Sequence, residues 1–409
     1  MHILITADGR SPITKRWIQG LLALQHRVSL ISTFPCEAPA GVSDLFILPV
    51  AFNALSGSQA LNRSTPATTP TKTTSSARKT VSKFRDILQG ARYWLGPLTL
   101  PFYGRRFKKI VEQLKPDVVH ALRLPFEGML ASYTPTGIPL AISIWGNDLT
   151  LHGNGSPLMR AWSERVIRRT QGLMADANRD IRLARQWGYP ADFPWLVVPG
   201  SGGLDLVEVT RAASPIALLE QFNIPENAPL VINPRGFRPG SVRNDVFFAS
   251  LPIILERCPE AVFVCAAMAG QPEAQQWIDR YQLQDHVFLL PYLSQNELWG
   301  LFHRALASVS ISVHDGTPNS LLESMASGCF PIVGDIESLR EWITPGVNGW
   351  LVPPDNPQLL AEAVSTVLQN ENLRQSAAEA NLKIIRERAE LNLMRSQIQV
   401  FYQRISPTV

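Results

Sequence analysis

Cysteine is scarce: the 409 residues hold four, Cys36, Cys258, Cys265 and Cys329. They are scattered without metal-type spacing, three of them in apolar surroundings. This reads as reduced, buried thiols in a cytoplasmic compartment. The seven histidines form no ligand cluster, so no metal site is expected. No apolar run reaches the ~18 residues that span a bilayer. The N-terminus, MHILITAD, has no basic stretch ahead of its short apolar run and reads as a first strand, not a secretory signal. Net charge is only +4, which argues against wholesale nucleic-acid binding. What is present is 45% hydrophobic content over a length that has room for two domains.

Strand and helix patterns alternate from end to end, which predicts parallel sheets with helices on both faces. Strands are expected at residues 3–6, 27–31, 45–48, 117–121, 140–144, 172–175 and 195–198. A second series is expected at 230–233, 261–265, 286–289, 306–311, 330–333 and 349–352. The turn-rich PGSGGLD at 199–205, and the run to about 228, read as a connection between domains. Residues 62–80, rich in Ser, Thr and Pro, cannot bury a core and read as a mobile loop. Residues 78–115 carry ten basic and two acidic side chains, interleaved with Phe84, Tyr93, Trp94, Leu95, Leu98, Leu100, Phe102 and Tyr103. Two readings stay open there: a basic amphipathic surface on anionic membrane, or a solvated helix face with core aromatics.

The most informative stretch is 314–328, HDGTPNSLLESMASG. Residues 307–313 before it read as a buried strand, and a helical pattern follows it. A strand–loop–helix step of this kind lies at the carboxyl ends of a parallel sheet, where ligands bind. The helix start offers free N–H groups and a positive dipole end to an anion such as phosphate. Asp315 and Glu323, eight apart, can accept hydrogen bonds from sugar hydroxyls. Leu321, Leu322, Met325, Ala326 and Cys329 share one apolar face, so Glu323 is expected to face the cleft. The alternative is a capping box, Ser320 with Glu323. Thr317 competes as N-cap with Pro318 at the first helical position; the amides of Asn319, Ser320 and Leu321 are then open to a ligand.

This stretch resembles the retaining, nucleotide-sugar-dependent glycosyltransferases of the GT-B fold, glycosyl transferase group 1. That family has Glu, seven residues, Glu, a small-residue helix and a Gly-x-Pro-Val/Ile turn. Here Asp315, Glu323 and the run Gly328-Cys-Phe-Pro331-Ile-Val-Gly334 resemble it, with Asp in place of the first Glu. Glu337 to Glu341 and Gly346 to Gly349 continue the likeness. The resemblance covers nearly the whole chain and is most specific between 228 and 355. It implies an α/β architecture: two doubly wound Rossmann-like domains facing a central cleft. Residues 1–205 would bind the acceptor and 206–385 the nucleotide-sugar. A C-terminal helix in 386–409 would cross back to the first domain.

The resemblance also assigns residues. Arg235 matches a family Arg on the donor diphosphate. The family's Lys is absent, since five positions on is Gly240, which leaves Arg238 or Arg243 for the second cation. Tyr292 lies in a turn that packs the nucleotide base in the family; its alternative is a core aromatic. Gly9 matches a glycine that approaches the donor phosphate, and Arg10 adds charge beside it. Trp145 stands where many relatives have a catalytic-site His. Asp148, three residues on, becomes the candidate for the acceptor hydroxyl or donor sugar, with a helix N-cap as its alternative. Arg10, Arg123, Glu127, Trp145 and Asn147 are the acceptor-side candidates.

The expected reaction is sugar transfer from a nucleoside diphosphate sugar to a hydroxyl on a sugar, glycan or lipid-linked acceptor, with retention, in polysaccharide or glycolipid synthesis. Asp148, Arg235 and Asp315 would carry the chemistry, and basic groups with the helix-start amides would stabilise the departing diphosphate. Neither a cofactor nor a divalent metal is needed. The expected location is cytoplasmic, with any peripheral contact on the inner face of the membrane. Rival readings are a catalytically inactive relative that binds sugar nucleotide as a partner subunit, and an epimerase or inverting transferase on the same scaffold.

Overall fold

A computed structural model describes residues 1–51, 53 and 92–406. The segment 62–80, and 78–91 of the basic region, lie outside the described residues. The chain divides into two compact units. The first is Met1–Asp176, Asp180–Val197 and the chain from Arg395 on; the second is Ala177–Arg179 and Val198–Met394.

The first unit is built on seven strands: β1 (His2–Ala7), β2 (Arg27–Ser32), β3 (Leu45–Ile47), β4 (Val118–Ala121), β5 (Leu140–Ile144), β6 (Gly172–Ala175) and β7 (Trp195–Val197). Their order is β3-β2-β1-β4-β5-β6-β7, and every pairing is parallel. The second unit has six: β8 (Leu230–Asn233), β9 (Val262–Cys265), β10 (Val287–Leu289), β11 (Ala307–Ser310), β12 (Phe330–Gly334) and β13 (Trp350–Val352). Their order is β10-β9-β8-β11-β12-β13, again all parallel. Both are Rossmann-like α/β sheets of the kind found in the GT-B class.

The strands read as continuous apolar runs because helices cover both faces of each sheet. In the second unit Leu230, Ile232, Val262 and Val264 enter one core, and Val231, Phe263 and Cys265 the other. Alternate side chains point to opposite faces, so one sheet serves two cores.

β11 is shorter than expected. After Ser310 the chain leaves the sheet, and Val313 donates its N–H to the Ser241 carbonyl at 2.9 Å. Gly334, at the end of β12, permits this path: a Cβ there would lie 2.1 Å from the Ser312 carbonyl oxygen. The connection after residue 205 is not plain loop but contains short helices, Leu206–Thr210 and Ile216–Gln221.

The final helix is Leu391–Ile405, and from Arg395 on it belongs to the first unit. There Tyr402 and His120 share a 2.5 Å hydrogen bond, and the other ring nitrogen of His120 meets Ser143 at 3.0 Å. Gly172 on β6 leaves room for Phe401 and Ile405, which a Cβ would approach to 2.7 Å. Among the described residues no helix is long and apolar enough to cross a membrane.

Candidate functional site

In each sheet the chain order reverses at one point, between β1 and β4 in the first unit and between β8 and β11 in the second. Loops leaving the carboxyl ends of the strands diverge there and leave a crevice. The sequence candidates fall at these two points.

In the second unit β8 runs into Pro234–Pro239, and β11 runs into His314–Pro318. The two loops meet where the Arg235 guanidinium pairs with the Asp315 carboxylate at 2.6 Å. Both side chains are largely shielded from solvent. Asp315 also accepts from the Ser312 hydroxyl at 3.2 Å, and its carbonyl accepts from Ser338 at 2.8 Å. The Arg235 Nε is buried and has no hydrogen-bond partner.

Arg238 reaches back, its Nε donating to the Arg235 carbonyl at 3.0 Å. Burial, then the neighbouring Arg235 charge, lowers its pKa from the ordinary arginine value; Asp315 and Tyr292 oppose the shift. Arg243 is differently placed. It is committed to Asp245 at 2.7 Å, and that hydrogen bond raises its pKa. Of the two candidates for the second cation, only Arg238 shares the electrostatic environment of Arg235. Tyr292 is 83% exposed, which removes the core-aromatic alternative.

The helix after Asp315 is Asn319–Ala326, with Pro318 as N-cap in an extended conformation and no side-chain cap. Two expectations are corrected here. Thr317 is not the cap, because its hydroxyl accepts from the Trp342 indole at 3.0 Å. Leu321 is not open to a ligand, because its N–H already donates to the Pro318 carbonyl at 3.0 Å. The amides of Asn319 and Ser320 remain at the helix start, where no intrahelical acceptor exists. The Ser320 hydroxyl is buried without a partner. The Ser320–Glu323 capping box does not form. Glu323 is only 3% exposed, so its carboxylate lies inside the fold, not on an open surface.

In the first unit the candidates gather at the ends of β1, β2, β4 and β5. Arg10 grips Asp8 through two 3.0 Å hydrogen bonds and lies 3.7 Å over the Phe34 ring. The Gly9 N–H donates to the Ser32 hydroxyl at 3.0 Å, and a Cβ at Gly9 would meet the Cys36 sulfur at 2.5 Å. Its lack of a side chain therefore serves packing against the loop after β2.

Asp148 is fully buried. One carboxylate oxygen accepts from Arg123 at 3.0 Å, and the other from the Leu124 and Trp145 amides at 3.0 and 3.2 Å. This corrects the expectation that Asp148 faces the acceptor: its carboxylate ties the β4 and β5 loops together and holds Arg123. It is not a helix N-cap either, since Asn147 takes that position. Burial lowers the Arg123 pKa, but Asp148 and Glu127 outweigh this and raise it overall. Glu127 accepts from Thr33 at 2.8 Å, and burial raises its pKa against the pull of Arg123. Trp145 and Asn147 are half-buried. The Asn147 side-chain oxygen, Oδ1, is a buried acceptor with no partner.

Three residues here escaped the sequence reading. Arg92, half-buried, lies 4.6 Å over the Phe126 ring, on a backbone with φ of 62° at Phe126. Tyr93 bonds His152 at 2.6 Å, and burial, then Arg123, lowers the His152 pKa to about 4. Arg92 and Tyr93 stood in a basic, aromatic stretch with no spacing signal to separate inward from outward side chains.

Set beside known proteins, the donor-type loops fall inside a recognised segment. Residues 220–383 match the family of glycosyl transferases group 1. The segment lies wholly within the second unit. A poly(glycerol-phosphate) alpha-glucosyltransferase of Bacillus subtilis is 25% identical over 134 residues, 32% of this chain and 20% of that protein. A phosphatidyl-myo-inositol mannosyltransferase of Mycobacterium tuberculosis is 32% identical over 173 residues, 39% of this chain and 43% of that protein. The chain thus spans less than half the length of these relatives. Over the whole fold, Anabaena Alr3699/HepE, solved in complex with UDP, superposes with a TM-score of 0.71 at 16% identity, covering 98% of this chain and 100% of that one. Sucrose-phosphate synthase from Thermosynechococcus elongatus gives 0.69 at 13%, covering 98% of each.

Proposed function

We propose that this chain is a retaining glycosyltransferase, moving a sugar from a nucleoside diphosphate sugar to an acceptor hydroxyl in glycan, polysaccharide or glycolipid synthesis. The observation that carries the reading is the Arg235–Asp315 pair at the β8–β11 reversal, beside an uncapped helix start. The group 1 match over 220–383, and neighbours solved with UDP or UDP-glucose, support a nucleotide-sugar as the donor.

The diphosphate would take the second positive centre from Arg238, exposed beside Arg235, together with Arg235 and the Asn319 and Ser320 amides. These fixed donors stabilise the charge that grows on the leaving oxygen. Asp315 holds Arg235 in place and is the candidate to read hydroxyls of the donor. On the acceptor side Asn147, Trp145 and Glu127 are the contact candidates. Asp148 is a positioning residue, acting through Arg123.

The purified protein is incubated with UDP-, GDP- and ADP-sugars without acceptor. Slow release of one nucleoside diphosphate is the expected result, and the anomeric configuration of the first product formed is read by NMR. Binding with no release under any acceptor would instead identify a sugar-nucleotide-binding subunit. An inverted product would place the chemistry in a different class.

A further inference from the structure

The helix Leu100–Leu114 buries Leu100, Gly104, Phe107 and Val111, which recur at spacings of four, three and four. Gly104 brings it hard against Tyr133, whose ring a Cβ would meet at 2.5 Å. The opposite side therefore points to solvent, and Phe102, Arg105, Arg106, Lys108 and Lys109 are all exposed there. Just before the helix, Trp94, Leu95 and Leu98 are exposed too. These three and Phe102 range from 50 to 64% exposure, four large apolar side chains within nine positions. The Arg106 guanidinium lies 4.4 Å over the Phe102 ring, joining the apolar end of this face to its basic end. One acid, Glu112, answers one of the cations, Lys108, at 3.7 Å.

A contiguous exposed apolar group is costly unless something covers it. The cations beside it decide what. Lysine is depleted in protein–protein interfaces, where its charge must be desolvated. Long Lys and Arg stems beside aromatic and leucine side chains instead match the layering of a bilayer surface, with apolar groups at the acyl boundary and cations at the phosphates. We propose that this face docks on an anionic lipid surface. Trp94, Leu95, Leu98 and Phe102 enter the headgroup–acyl boundary, and Arg105, Arg106, Lys108 and Lys109 rest on lipid phosphates. The proposal stands independently of the transfer reaction.

The full-length protein is sedimented with vesicles of phosphatidylcholine alone and of phosphatidylcholine with about one third phosphatidylglycerol. Binding to the anionic vesicles is expected, several-fold weaker on neutral ones and at high salt. Leu98→Ser with Phe102→Ser should lower partitioning roughly tenfold or more. Replacing Arg105, Arg106, Lys108 and Lys109 by Gln should also lower it at least ~tenfold. Because these side chains are exposed, the melting temperature should not move, which separates lost binding from lost folding. The wild-type protein alone tests the proposal through its lipid and salt dependence. Equal binding to both vesicles, binding to neither, or indifference to both variant sets overturns it. So does a concentration-dependent dimer that Phe102→Ser abolishes, since a second copy would then be what covers the face.

Discussion

Arg235 and Asp315 pair at 2.6 Å, and the Arg235 Nε is buried without a partner. On the proposed reading Arg235 serves the donor diphosphate, not the base. Arg235→Ala should weaken nucleoside diphosphate binding roughly ten- to a hundredfold, as expected for a charged hydrogen bond of ~1.5–3 kcal/mol, while nucleoside binding stays close to wild type. Titration calorimetry with both ligands checks this; equal losses would remove Arg235 from the phosphate. Arg238→Ala should follow the same pattern, and Arg243→Ala, already bound to Asp245, should not. Asp148→Asn belongs to a different class. Its carboxylate supports two amides and Arg123, so the substitution should cost about 2–3 kcal/mol in urea unfolding. On the proposed reading the acceptor KM rises as Arg123 loses its orientation, and the donor Kd holds. A lost turnover at unchanged stability would return Asp148 to direct chemistry.

At the scale of elements, the loop after β11 depends on a missing methyl group. Gly334→Ala would drive a Cβ into the Ser312 carbonyl, and since that contact is backbone, the loop from Ser312 to Asp315 must shift. Overpacking of this kind costs about 1–3 kcal/mol; donor affinity should fall with the melting temperature, and affinity that survives would show the loop tolerates the shift. The final helix brings a pH dependence. His120, buried beneath Tyr402, has its pKa lowered to about 3 by desolvation. Below pH ~6.5 the unfolded chain takes up a proton that the folded chain refuses, so stability falls as pH drops from there toward 3, by up to ~1.4 kcal/mol per pH unit from this group. His120→Gln should flatten that slope in unfolding measured between pH 7 and 5. All thirteen strands among the described residues were legible in the sequence, because fully covered parallel strands are short apolar runs bounded by turn residues. Their ends were less so: β11 stops at Ser310, and the turn away from the sheet passes close to Gly334 on the next strand.

At the scale of the whole chain, the strand–loop–helix frame around Asp315 and Glu323 was legible because it is local in sequence. The Arg235–Asp315 pair was not, since the two lie 80 positions apart in the numbering and meet only through the β8–β11 pairing. Nor was the fate of Asp148 or the Tyr93–His152 bond, for which burial had to be known. These non-local contacts also bear on which unit receives the donor. Gly9 was matched to a family glycine that lets backbone approach the donor phosphate; here its N–H donates to Ser32, and packing against Cys36 accounts for the missing side chain. In the second unit Arg235, Arg238 and the Asn319 and Ser320 amides converge on the strand ends. A nucleoside diphosphate at about 100 times its Kd contributes ~2.7 kcal/mol to whatever folds around it. Hydrogen exchange should therefore slow in residues 234–243 and 312–322 when the diphosphate is added, with 8–11 and 145–152 unchanged until an acceptor is present. Protection of 8–11 by the diphosphate alone would mean that Gly9 exchanges Ser32 for phosphate on binding.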